Sequence, residues 1–475
     1  MINCLSIFGN TGVTIDVEGK RHLGAVIGMP SFKEKFMADL VKEWTDQLAV
    51  LCDIAKADPH VAYSAFTTGF SQKWRYFQRT IPESGAFYQP LEDMIRSAFI
   101  PAIIGRPCTD TERTIISLPC RLGGLGIENP VLTAERSFRD SQYITAPFVT
   151  EINKQTTADE EDNNENIDLR LFKLQKEMNS RKASRQKENA EMYSKVQKDF
   201  ISTLNKELQR SIELNSEKGA SIWLTSLPLS DQGFHLNAQE FRDALCLRYG
   251  WRIQNIAPVC ECGADNSINH ALICMKGGFV IMRHNELRDL EAELLGEVCK
   301  DVTLEPPLLP CDGFQLPTTA NTARDAHLDV SARGFWAPLQ RAFFDVRVFH
   351  PNSRSYMNSK PRSVYTTHES QKKTAYNERV ISVEHGTFTP LIFSTTGGFG
   401  NESITYHKRL ASLIARKRNE EYPLVISYIR RKLRFSLLRS TLIAIRGTRT
   451  VVKKMYYKQK LSEVDINLIE AMHNT

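Results

Sequence analysis

Cys260, Cys262, His270 and Cys274 are spaced CxCx7Hx3C. Three thiolates and an imidazole make a standard tetrahedral zinc set, closed to substrate and therefore structural. Gly263, directly after the second cysteine, permits the tight turn such a set needs. Thiols buried in a helical core are the other reading of the same residues.

Asp329 lies in AHLDVSA (326–332) and Asp345 in FFDVRVF (343–349). Alternation puts Leu328 and Val330 on one face of the first run, with His327, Asp329 and Ser331 on the other. In the second run Phe344, Val346 and Val348 oppose Asp345 and Arg347. The two carboxylates could thus converge at one sheet edge. Carboxylate oxygens hold Mg²⁺ or Mn²⁺, and such an ion lowers the pKa of a water and offsets charge on a phosphodiester under attack. Arg347 can stabilise charge but cannot release a proton, which leaves Lys372 and Lys373 to orient the nucleophile. Two solvated strand aspartates are the competing reading. The glycine runs at 123–126 (GGLG) and 397–400 (GGFG) match neither a P-loop nor a dinucleotide fingerprint; the second reads as a flexible turn or a phosphate-binding helix start. No serine-histidine-acid or HExxH pattern is present.

Periodicity predicts the elements that position these residues. Residues 1–148 open with strand-like CLSIFG, VTIDVEG and LGAVIGM and continue as helices over 32–53 and 91–104. Residues 149–166 are polar and acidic, and 167–218 read as a long exposed helix with a weak stripe of Leu169, Phe172, Leu174 and Met178. Residues 219–281 form a lead-in helix capped by Asn237, followed by the cysteine knuckle. Between 282 and 400 the pattern is a helix with Leu287, Leu290, Leu294 and Val298 on one face, a short strand in VTLEP and the two aspartate strands. A helix over 366–379 and a hairpin of VISVE with FTPLIFS complete it. From 401 to 475 the chain is helical and basic: Ile429, Leu433 and Leu437 define a buried stripe, and Arg430, Arg431 and Arg434 a surface suited to a polyanion.

With 475 residues, the chain is long enough for about three domains. At 41% apolar and 24% charged residues it is neither disordered nor fibrous. Ten scattered cysteines are too sparse for a disulfide framework and favour a reducing compartment. No apolar run approaches a membrane span, and the N-terminal residues lack a signal-peptide pattern, so neither a secreted nor a membrane protein is expected.

The C-terminal part resembles the restriction-enzyme-like endonuclease region of non-long-terminal-repeat retrotransposons. The resemblance rests on an ordered set over 240–376: FRDALCLRYGW, the cysteine and histidine knuckle, Arg283-His284-Asn285, EPPL at Glu305, the two aspartates, and KKTAY at 372–376. It implies a PD-(D/E)xK nuclease fold in which Asp329 and Asp345 bind the catalytic metal. It also places Lys372 or Lys373 with Tyr376 near the site. Leu328 stands where the family usually has proline, Arg347 where many nucleases have lysine, and Arg324-Asp325 offers a second alignment. GKRHLGAVIGM (19–29) is similar to the hairpin that follows the catalytic palm of a reverse transcriptase, which implies that the helical region through LPCRLGGLGI (118–127) is thumb and connection. No paired-aspartate palm motif occurs, so polymerase activity is not expected.

The expected protein is therefore α+β and multidomain. A helical thumb-like region (1–148), a linker (149–218), a zinc knuckle (219–281), a PD-(D/E)xK-like core (282–400) and basic helices (401–475) follow in order. The expected function is metal-dependent DNA nicking in the nucleus, with structural Zn²⁺, catalytic Mg²⁺ or Mn²⁺, and DNA or element RNA as partner. Arg283, His284, Asn285, Arg347, Arg430, Arg431 and Arg434 are the expected nucleic-acid contacts. The alternative is an inactive zinc-containing remnant that binds nucleic acid through the same surfaces. A genomic relic with an exposed apolar N-terminal face is a third reading.

Overall fold

The computed structural model describes residues 7–8, 11–12, 16–153 and 167–449. Most of CLSIFG, the start of VTIDVEG, most of the acidic segment and the basic residues after 449 lie outside the described residues. Elements of both kinds are present, giving a mixed α+β fold. The chain forms two compact units: Met1–Trp251 with Arg430–Phe435, and Arg252–Ile429 with Ser436–Thr475. Residues 149–251, which the sequence divides between linker and knuckle lead-in, belong to the first unit.

The first unit opens with an antiparallel hairpin, β1 (Gly19–His22) and β2 (Ala25–Gly28), turning through Leu23 and Gly24, both at positive φ. Helices follow as α1 (Pro30–Ala57), α2 (Pro59–Ala65), α3 (Gln72–Thr80), α4 (Gln89–Met94), α5 (Ile100–Ile104) and α6 (Asp110–Ser117). Next come α7 (Pro130–Asn153), α8 (Ile167–Ser202), α9 (Lys206–Asn215) and α10 (Ala238–Tyr249). In α1 the buried residues Met37, Val41, Trp44, Leu48, Cys52 and Ala55 recur every three or four positions, the stripe a core-facing helix requires. Between α4 and α5, Pro101 cannot donate to the carbonyl four residues back, and Ile95–Phe99 widens into a π turn. Helix α8 is largely exposed, as its composition predicts: Leu169 and Phe172 of the weak stripe face solvent.

LPCRLGGLGI is held from several sides. Tyr63 Oη donates to the carbonyl of Leu125 (2.7 Å), Tyr249 Oη to that of Gly123 (3.0 Å), and Arg248 Nη2 to that of Gly124 (3.0 Å). A Cβ on Gly124 would lie 1.9 Å from the Leu118 carbonyl, so backbone packing alone demands glycine there. Nearby, Arg113 and Glu92 form a buried two-pronged ion pair with both contacts at 2.7 Å.

The second unit is built on α11 (Phe279–Gly296), β3 (Lys300–Leu304), β4 (Val330–Arg333), β5 (Arg341–Phe349), α12 (Pro361–Ser382), β6 (Thr387–Ser394), α13 (Asn401–Arg418) and the parts of α14 (Tyr422–Arg446) on either side of residues 430–435, which belong to the first unit. Its sheet has the order β3-β4-β5-β6. The first three strands run antiparallel, and β6 returns parallel to β5 through α12, with Asp345 opposite Pro390. The expected hairpin of VISVE with FTPLIFS is not formed. Val380–Ser382 ends α12, and FTPLIFS falls in β6, because a parallel neighbour requires a crossover helix.

Both faces of β5 are covered. Phe344 packs against Tyr406 of α13 with ring centroids 5.0 Å apart, while Phe343 joins a core cluster with Val380 of α12. Burial is therefore nearly continuous along β5 rather than alternating, as a parallel-paired strand under helices demands.

Candidate functional site

Two sites take shape in the second unit. At the knuckle, Cys260 N–H donates to the carbonyl of Ala264 and Gly263 N–H to that of Cys260, both at 2.8 Å, with Gly263 at φ +85°. This tight turn places Cys262 beside the one-turn helix Ile268–Ala271, whose first turn is capped by Ser267. Ligand atoms of Cys260, Cys262, His270 and Cys274 all lie within 4.8 Å of one another. Cys260 Sγ and Cys274 Sγ are 3.7 Å apart, and Cys262 Sγ lies 3.2 Å from His270 Nε2. Zinc–sulfur bonds of about 2.3 Å span a tetrahedral edge of about 3.8 Å, so the four donors fit a tetrahedral ion. A backbone N–H from Ala264 helps hold the Cys262 thiol below its ordinary pKa, favouring the thiolate a metal takes. The cluster could therefore bind a metal.

The second site lies at the meeting of α11, β4, β5 and α12. Asp345, on β5 and 6% exposed, receives Lys372 Nζ from α12 at 2.7 Å from Oδ2. Burial pushes the Asp345 carboxyl above its usual range, opposed by the Lys372 charge and reinforced by that of Asp329. Asp329 immediately precedes β4 instead of lying inside a strand. The alternation holds only before β4: Ala326, Leu328 and Val330 are buried and His327 is exposed, whereas Ser331, expected on the polar face, is buried with Val330 and Ala332. Its Oδ2 accepts the backbone N–H of Val346 at 2.6 Å and its Oδ1 contacts His284 Nε2 at 3.0 Å. One carboxylate is thus anchored to the strand that carries the other. Asp325, the alternative, is exposed, and Arg324 pairs with Asp312 at 3.5 Å.

Several expected residues lie elsewhere or act differently. Lys373 pairs with Glu402 at 2.5 Å and turns away from Asp345. Tyr376 accepts from Asn321 Nδ2 at 3.1 Å and packs against the core, with Lys372 Nζ 5.7 Å from its ring centroid. Arg347 is half-buried and reaches Gln371 Oε1 at 3.5 Å. Arg283, an expected nucleic-acid contact, is 1% exposed and donates to the Leu272 carbonyl at 3.0 Å. Arg434 is likewise buried, donating to the Ala220 carbonyl at 2.8 Å. Neither can reach a phosphate, because each guanidinium is enclosed by the fold. Arg430 and Arg431 are half-buried, Arg431 lying 5.5 Å over the Phe234 ring. Asn285 is half-buried on α11. The GGFG run leads into α13, where Glu369 Oε1 already accepts the Glu402 N–H, so a carboxylate takes the place a phosphate would need.

Sequence reasoning grouped His284 with nucleic-acid contacts and missed its pairing with Asp329. It also missed Arg288, which pairs with Glu305 of EPPL and with Asp289 at 2.8 Å. The Arg288 spacing on α11, four residues after His284 and so on the same face, was the available signal.

No protein-family model matches the chain, and no curated protein is similar to it at a significant level.

Proposed function

We propose that the second unit is a metal-dependent DNA endonuclease of the PD-(D/E)xK type, derived from a non-long-terminal-repeat retrotransposon. The observation that carries this reading is the contact of Lys372 with Asp345, beside Asp329, on a helix, three strands, helix, strand succession. Two carboxylates and a lysine held by crossing elements are what phosphodiester hydrolysis needs. Asp329 and Asp345 would hold Mg²⁺ or Mn²⁺, hard cations suited to oxygen donors, supplying charge neutralisation and an activated water. Lys372 orients that water and stabilises charge on the scissile phosphate. Lysine at this point comes from α12, while Arg347 stands two residues after Asp345. The Cys260, Cys262, His270 and Cys274 cluster would hold Zn²⁺ structurally. DNA in the nucleus is the proposed target, with element RNA as a further partner. Among the described residues no helix is long and apolar enough to cross a membrane.

The test is nicking of supercoiled plasmid by the full chain with Mg²⁺, Mn²⁺ or EDTA, beside Asp345→Ala. Metal-dependent nicking that the substitution abolishes supports the reading. Equal DNA binding by both proteins without nicking under any metal overturns it in favour of a nucleic-acid-binding remnant.

A further inference from the structure

Two buried side chains tie the knuckle to α11, which carries His284, and to the end of β5, which carries Asp345. Arg283, fully buried on α11, donates Nη2 to the carbonyl of Leu272, two residues before the ligand Cys274. Its neighbour in sequence is His284, the residue that contacts Asp329. On the other side His350 follows β5, the strand that carries Asp345. His350 Nε2 lies 2.9 Å from Oδ1 of Asn269, the residue before the ligand His270, and Nδ1 lies 2.8 Å from Thr395 Oγ1. An amide oxygen only accepts, so the His350 proton sits on Nε2 and the Thr395 hydroxyl donates to Nδ1. Burial, with the Arg283 charge beside it, keeps this imidazole neutral, with its pKa pushed down to about 3. Arg449 adds a third tie, donating Nη2 to the Ala271 carbonyl at 3.2 Å.

We infer that Arg283 and His350 are positioning residues through which the folded knuckle sets the placement of Asp329 and Asp345 for their metal ion. Within the knuckle's residues 268–274 only Ala271 and Leu272, besides the donor Cys274, are apolar and buried. The backbone of this stretch is held by local hydrogen bonds, such as that from Cys274 N–H to the His270 carbonyl (2.9 Å), and by these ties. The first tie leads to the helix that carries His284, which contacts Asp329, and the second to the strand that carries Asp345, five residues before His350. Groups hydrogen-bonded to a metal ligand commonly change metal affinity by about ten- to a hundredfold; Arg283 and His350 act one step further out, through His284, which touches Asp329, and through β5, which carries Asp345, so the lower end of that range is expected.

This inference rests on the nuclease reading for what the cluster binds. It is tested on the full chain by calorimetric titration of Mn²⁺ into zinc-loaded protein, with zinc content measured on the same samples. Asn269→Ala is the informative variant, because Asn269 belongs to the knuckle's exposed side and its loss leaves both buried residues in place. The expected result is Mn²⁺ binding weaker by about tenfold at unchanged zinc content, with Asn269→Asp, which keeps the accepting oxygen, close to wild type. Mn²⁺ affinity equal in wild type and Asn269→Ala overturns the inference, whether or not zinc is retained. Wild-type protein whose Mn²⁺ binding is absent, or survives Asp345→Asn, overturns the nuclease reading and the inference with it.

Discussion

Lys372 Nζ lies 2.7 Å from Asp345 Oδ2, joining residues 27 positions apart, one on α12 and one on β5, into one charged pair. Consecutive helical residues point about 100° apart, so of the two adjacent lysines only one can face the strand. The other, Lys373, is taken by Glu402.

Under the proposed nuclease reading, this geometry gives the two lysines different roles. Lys372→Ala is expected to lower metal-dependent nicking by at least about a hundredfold, whereas Lys373→Ala leaves it within about threefold of wild type, since Lys373 pairs with Glu402 and not with either aspartate. Initial rates of plasmid nicking at saturating Mg²⁺ check this. Equal losses in the two variants contradict it.

His350 makes stability sensitive to acid. Its folded pKa, about 3, lies below the ordinary 6.5. The unfolded chain therefore binds a proton that the folded one excludes as pH falls below about 6.5. The group's contribution is fully present above that value and is lost as pH falls towards 3, at up to about 1.4 kcal/mol per pH unit. Denaturant unfolding at pH 7, 6 and 5 is expected to show this decline, and His350→Gln to make it shallower.

The knuckle's donor set predicts one tightly held zinc per chain. Co²⁺ in its place is expected to give the intense visible absorption of a tetrahedral thiolate site, and Cys274→Ser to lose both metal and part of the thermal stability. Native mass spectrometry and a melting curve measure the two. A Cys274→Ser protein that keeps full zinc content contradicts the assignment.

Arg434 is expected to matter for stability and not for nucleic-acid affinity. Removing its buried donor to Ala220 in Arg434→Ala costs about 2 kcal/mol. A phosphate-contacting arginine would instead lower the slope of log affinity against log salt by about one on removal. An unchanged slope with a lowered melting temperature is the expected pair of results.

Local pattern sufficed for much of this. The spacing of Cys260, Cys262, His270 and Cys274 anticipated a cluster that the fold brings within 4.8 Å. The 3.6-residue period anticipated α1 and, apart from Val298 beyond its end, α11; Asn237 caps α10 as read; and Val330 and Phe344 are buried as expected, although Asp345 on the other face of β5 is buried too. These are consequences of short-range sterics and hydrogen bonding, which the sequence carries by itself. Tertiary structure alone decided that FTPLIFS pairs parallel to β5, that Lys372 faces Asp345, that His284 meets Asp329, and that Arg283 and Arg434 are interior. A one-dimensional pattern records that a residue is charged but not what covers it. An arginine on a helix reads as surface until another element's carbonyl is brought to it, and such carbonyls come from segments distant in the chain.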